Sequence, residues 1–157
     1  MVKIRSIKEL LFESPFFRDF HDDHLSLLAN CSEIVRFNEN DFLLIEGEKA
    51  DYCYLLLSGS VAIESHFPGR TALIVSKVDP QGIVGFSWLF PPYRNQFDAR
   101  AEMSISAIRL HGNCLRSVIE SDHELGYHLL NVFSAIMLQR MQSARRPMLD
   151  VFGQSKN

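Results

Sequence analysis

A chain of 157 residues, 46% hydrophobic and 22% charged, fits one globular domain, and twelve Phe supply bulk for its core without a metal or disulfide staple. A formal charge of −3 and a pI near 6.0 argue against the basic surface of a dedicated nucleic-acid binder. Cys31, Cys53 and Cys114 are odd in number and lack CxxC spacing, so they read as free thiols in a reducing compartment.

The opening MVKIRSIKEL has no apolar run of signal-peptide type, and no segment reaches the roughly 18 apolar residues of a membrane span. The expected location is the cytoplasm. Residues 4–30 read as short helices, interrupted at Ser14-Pro15 and resumed with Phe16, Phe17, Phe20, Leu25, Leu27 and Leu28. From 31 to 110 the texture changes. Short apolar runs alternate with turn signals at Asn38–Asp41, Glu46-Gly47-Glu48, Ser58-Gly59, Pro68-Gly69, Asp79–Gly82 and Pro91-Pro92. The strand-like runs are 34–37, 42–45, 52–57, 61–64, 71–78 and 103–110, a spacing that predicts an antiparallel sandwich or barrel. Residues 122–146 predict one long helix, with Ser121 or Asp122 as its N-cap. Residues 147–157 read as a tail after Pro147. The whole chain reads as one domain: helices over 1–30, barrel over 31–110, helices over 111–146.

The long helix carries two apolar stripes. Leu125, Leu129, Val132 and Ile136 form one; Leu130, Phe133, Met137, Met141 and Ala144 form the other. One stripe suffices to pack on a barrel, so the first is expected to pair with a second copy in a homodimer. One broad buried face is the alternative.

Two stretches carry a family resemblance. Phe37-x-x-Asn40-Asp41-Phe42-Leu43-Leu44-Ile45-Glu46-Gly47-Glu48 and Asp51-x-x-Tyr54-Leu55-Leu56-Leu57-Ser58-Gly59-Ser60-Val61 resemble the opening strands and glycine-turned hairpin of cyclic nucleotide-binding domains, as in catabolite-activator and FNR-like regulators. Gly47 and Gly59 stand where tight turns need positive φ. Tyr54, Leu56, Val61 and Ile63 alternate as barrel-facing residues should. The resemblance covers residues 10–145 and implies a mainly β double-stranded β-helix, or jelly-roll, barrel with N-terminal helices and a long C-terminal helix. Ile83-Val84-Gly85-Phe86-Ser87-Trp88-Leu89 falls where that family holds the cyclic phosphate on a glycine turn running into a short helix. The resemblance implies that Gly85, Phe86, Ser87, Trp88 and Leu89 form the cradle, with Arg94 or Arg100, next to Ala101, pairing with the phosphate. The implied ligand is a cyclic nucleotide, cAMP or cGMP, and no other cofactor.

The chain departs from the pattern at several points. Phe86 stands where the family has the Glu that binds the ribose, Trp88 replaces a small residue, and Gln81-Gly82 replaces a Gly-acid pair. Phe97, Ala99, Ala101, Met103, Ile105 and Ala107 are apolar at period two, so a regular strand points Arg100 out of the barrel. A one-residue bulge would turn it inward.

Catalytic and metal chemistry find no support. A cupin-type metal site needs two or three His and a Glu on neighbouring strands, but only His66 of the six His lies clearly in the strands. His24, His66 and His111 read as surface or capping residues. The Cys are not clustered for an iron–sulfur centre, and no nucleophile motif or P-loop occurs. The eleven residues after Arg146 are too few for a helix-turn-helix of roughly 60 residues, and Arg140, Arg145, Arg146 and Lys156 read as cations suited to a helix C-terminus. The expected function is a regulatory sensor, not an enzyme, coupling an anionic ligand to the position of helix 122–146. It is expected to work with an effector protein and without DNA or membrane binding. The alternative is a ligand-free interaction or dimerisation module whose cassette is filled by Phe86 and Trp88.

Overall fold

The computed structural model describes the backbone of residues 4–154 and the side chains of residues 4–145. The described elements follow the expected order. Helices α1 (Ile7–Glu13) and α2 (Asp22–Asn30) precede strands β1 (Ser32–Phe37), β2 (Phe42–Leu44), β3 (Tyr52–Ser58), β4 (Val61–Ser65), β5 (Leu73–Val78), β6 (Ile83–Val84), β7 (Asp98–Ala101) and β8 (Ile105–His111). Helices α3 (Gly112–Ser121) and α4 (His123–Gln154) close the chain. The strands form two antiparallel four-stranded sheets, ordered β1-β8-β3-β6 and β2-β7-β4-β5. Tyr54 and Leu56 of the first sheet meet Val61, Ile63, Ala99 and Ala101 of the second in one buried cluster. The sheets therefore pack face to face as a jelly roll.

The hairpin β3–β4 turns at Gly59, whose φ is +89°. A Cβ there would lie 2.6 Å from the Ile105 Cγ2, so glycine is required by close approach as well as by backbone hand. Strand β3 is buried on both faces. Tyr54 and Leu56 fill the barrel, while Cys53 and Leu55 face a second core that includes Phe17 between α1 and α2, Leu25 and Leu28 of α2, Leu115 of α3 and Phe133 of α4. That double burial explains the unbroken apolar run Tyr52–Leu57, which alternation alone does not.

Four expectations change. Cys31 and Cys114 are joined in a disulfide, and only Cys53 is free. Their separation of 83 residues hid a Cα–Cα distance of 5.5 Å, set by the packing of α3 beside the end of α2. The free-thiol argument for a reducing compartment is thereby withdrawn. Second, Leu125, Leu129 and Ile136 are buried in the chain's own helix-side core, with Val132 packed against it. The stripe expected at a dimer seam is occupied, because the helix-side core takes it together with Phe133 and Met137, while Leu130 and Met141 of the other stripe stay exposed. Third, α4 continues through Pro147 to Gln154, so 147–154 is not a tail and Arg140 lies well inside the helix; Lys156 lies outside the described residues. One proline removes one backbone donor from a helix that already has six turns. Fourth, His24 is buried, with its Nε2 3.0 Å from the Asp122 Oδ2.

Asp122 is the N-cap of α4. Its Oδ1 accepts from the Leu125 N–H at 3.1 Å. That hydrogen bond, with a smaller contribution from His24, holds its carboxyl below the usual range. Because the folded pKa is depressed, the cap stabilises fully above the unfolded value of about 3.9, and its contribution is lost as pH falls from there through the folded value. Urea midpoints measured from neutral pH downward should therefore fall more steeply in the wild type than in Asp122→Asn. Parallel curves would show that the cap does not titrate with folding.

Candidate functional site

Strand β6 is followed by Gly85, where φ is +97°. A Cβ at Gly85 would sit 3.0 Å from the Tyr52 carbonyl oxygen, so the chain passes hard against β3 before it turns outward. Residues 86–90 then form a turn: the Leu89 N–H donates to the Phe86 carbonyl at 3.1 Å, and the Phe90 N–H to that of Ser87 at 3.4 Å. The short helix implied by the family resemblance is absent, and with it the helix dipole.

The loop that follows is tied to residues 45–50. The Gly47 N–H donates to the Asn95 carbonyl, the Asn95 N–H to that of Glu48, and the Asn95 side-chain amide to that of Ile45 at 3.2 Å. These bonds hold Arg94 at the wall of a cavity of about 1010 Å³. Leu44, Ile63, Gly85, Phe86 and Ser87 line it from the barrel side, and Ile136, Met137, Arg140 and Met141 line it from α4.

The structure separates the residues that the sequence grouped. Gly85, Phe86, Ser87 and Arg94 reach the cavity. Trp88 does not: it is fully buried, 5.4 Å edge-on from the Phe133 ring, and Leu89 packs on the same helix-side core. The idea that Phe86 and Trp88 fill the ligand space is therefore corrected. A turn in place of a helix sends the indole under α4, and Phe86 stands at the cavity wall without closing it.

Arg100 follows the regular-strand phase. Ala99 and Ala101 point into the barrel, and the Arg100 guanidinium lies on the other face. Its Nε donates to the Glu64 Oε1 at 2.8 Å, its Nη2 lies 2.6 Å from the same oxygen, and its Nη1 donates to the Asn40 Oδ1 at 3.0 Å. Glu64 is buried, so that ion pair commits Arg100 to a structural role and removes it from the cavity.

Arg140 takes a different position from the one expected. Its guanidinium lies 4.7 Å from the centroid of Phe86, and its Nη2 donates to the Ile83 carbonyl oxygen. Burial pushes its pKa below the usual arginine range, and among the described residues no carboxylate pairs with it. A signal was present in the sequence: Phe133, Ile136 and Arg140 step by three and four, which puts a cation on the buried face of a helix. Among the described residues, no three His, Cys, Asp or Glu side chains gather as metal ligands, and no helix is long and apolar enough to cross a membrane.

Comparison with known proteins agrees with this fold. The cyclic nucleotide-binding domain family matches residues 34–122. The chain is 24% identical over 126 residues to the CRP-like cAMP-activated global transcriptional regulator of Mycobacterium tuberculosis, covering 80% of this chain and 56% of that protein. The chain thus spans little more than half of that relative. A crystal structure of a Geobacter metallireducens protein described as cyclic nucleotide-binding superposes with a TM-score of 0.77 at 30% identity, over 88% of this chain and 99% of that one. The regulatory subunit of a cAMP-independent protein kinase A from Trypanosoma brucei shares the fold, with a TM-score of 0.63 at 18% identity over 77% of this chain and 44% of that one.

Proposed function

This chain belongs to the cyclic nucleotide-binding domain family, and from that premise we propose that it is a regulatory sensor for a small anionic ligand, with no catalytic role of its own. The ligand would enter the cavity between Gly85–Ser87 and α4, and α4 would report its presence. The observation that carries this reading is the shared wall: the cassette and Ile136, Met137, Arg140 and Met141 of α4 line one space of about 1010 Å³. A ligand touching both has a differential contact with two positions of the helix, the condition for shifting between them.

The family shown is regulatory, and among the relatives named above one is cAMP-activated and another cAMP-independent. Membership therefore leaves the ligand to the site. Phe86 provides no ribose acceptor, and Arg100 is engaged by Glu64. Loss of one charge-assisted hydrogen bond costs about 1.5–3 kcal/mol, or roughly tenfold to a hundredfold in affinity. Losing two would move a micromolar site toward millimolar. Calorimetric titration with cAMP and cGMP should accordingly give affinities weaker than about 100 μM, on the same arithmetic. A low-micromolar constant for cAMP would show that the cassette binds the phosphate without Arg100.

The second reading, a ligand-free interaction module, draws on the same outward Arg100. It predicts that amide exchange in α4 is unaffected by cyclic nucleotides and by the amphipathic anion tested below. The further proposals are cytoplasmic location, action through an effector protein, no DNA binding by this chain alone, and a homodimer. Dimer contacts would use the exposed face of α4 at Tyr127, Leu130 and Leu138, since the other stripe is buried.

A further inference from the structure

The cavity wall has two features that cyclic nucleotide chemistry does not use. The first is apolar exposure. Val75, Phe90, Phe97 and Met141 line the cavity and remain 42%, 46%, 44% and 67% exposed. Large apolar side chains gathered around one concavity mark a surface that an apolar body would cover. A ribose would instead bring hydroxyls that each need a polar partner.

The second feature is charge. Lys77 is held by Glu102 at 3.0 Å, and Asp98 by His66 at 2.8 Å. The remaining charged groups on the wall are Asp79 and Arg94, both exposed, and Arg140. Only Arg140 is substantially shielded from water, held between the Phe86 ring and the Ile83 carbonyl. Arginine has five N–H donors, and this one is seen to spend one on Ile83. An anion placed against it would meet a cation in a low-dielectric setting, where Coulomb attraction is stronger than at exposed Arg94.

We propose that the cavity takes an amphipathic anion, an apolar body carrying one anionic group, and that Arg140 of α4 is the residue that binds the anion. This rests on the sensor reading above and assigns the ligand class for that same site. The apolar body lies along Val75, Phe97 and Met141, and the anionic group meets the guanidinium stacked on Phe86. The cation then belongs to the reporting helix itself, so the ligand pulls on α4 directly and not through a strand.

The test uses the full chain, with decanoate below its micellar concentration as the probe, and decanol and cAMP as comparators. Calorimetry and α4 amide exchange are read on wild type, Arg140→Gln, Arg140→Lys and Arg94→Gln, each checked by thermal melting for an intact fold. Decanoate is expected to bind the wild type and slow exchange in α4. Arg140→Gln should weaken decanoate about tenfold to a hundredfold and leave decanol unchanged. Arg140→Lys keeps the charge without the planar fork and should recover part of the loss. Arg94→Gln, at the exposed cation on the same wall, should weaken decanoate less than Arg140→Gln does, and the reverse order would give the anion to Arg94 and overturn the assignment. Equal binding of decanoate and decanol to the wild type, or decanoate binding indifferent to Arg140→Gln, overturns the inference. If cAMP protects α4 and decanoate does not, the sensor reading stands and this inference falls. If no probe binds or protects α4, both fall.

Discussion

Trp88→Ala is expected to lower the melting temperature by roughly 6–20 °C, the product of about 3–5 kcal/mol for truncating a buried Trp and about 2–4 °C per kcal/mol in a domain of this size. The indole is fully buried, and its Cβ packs close to Gly112, where an added Cβ would approach it to 2.9 Å. Its ring edge meets Phe133, so removal leaves a hole between the barrel and α4. The loss is partly offset, because the Nε1–H lies beside the Cys53 thiol without a hydrogen bond of acceptable geometry. An unsatisfied buried donor itself costs about 1–3 kcal/mol. Trp88→Phe should therefore be much milder than Trp88→Ala in thermal denaturation. Had the indole occupied the ligand cavity, the Ala variant would melt near the wild type.

Leu129→Glu is expected to leave the chain largely unfolded. The side chain is 2% exposed in the helix-side core. Deleting a buried Leu costs about 2–5 kcal/mol, and an unpaired buried carboxylate adds several kcal/mol more. A total stability of about 5–15 kcal/mol does not readily survive that sum. Leu138→Glu, two and a half turns further along, behaves differently. That side chain is 51% exposed, and a surface change there should stay within about 0.5 kcal/mol. Circular dichroism with light scattering reads both effects. Leu138→Glu should be folded, and monomeric if the wild type is a dimer through that face. A folded, monomeric Leu129→Glu would restore the buried stripe as a dimer seam.

Local features are legible along the chain. Ser14-Pro15 separates two helices, Gly47 and Gly59 take positive φ, and the start of α4 falls at Ser121 or Asp122, of which the structure selects Asp122 as the cap. The alternation of Tyr54 and Leu56, and of Ala99 and Ala101, placed the barrel-facing side chains and sent Arg100 outward. Such features are set by backbone sterics and by strand and helix periods over a few residues, so they can be read along one chain. Two strands were less visible. Strand β6 has only two residues, and β7 merged on paper with β8 because the bend at 102–104 interrupts a continuous period-two pattern.

Which distant groups meet follows from the packing of the elements, that is, from the tertiary structure. It joined Cys31 to Cys114, gave Arg100 to Glu64, turned Trp88 under α4 and laid Arg140 against Phe86. It also decided which stripe of α4 is buried, since an amphipathic pattern states that a face is covered but not by what. Each of these contacts depends on the docking of elements many residues apart, where a shift of one residue in register or a fraction of a turn in a helix exchanges one neighbour for another.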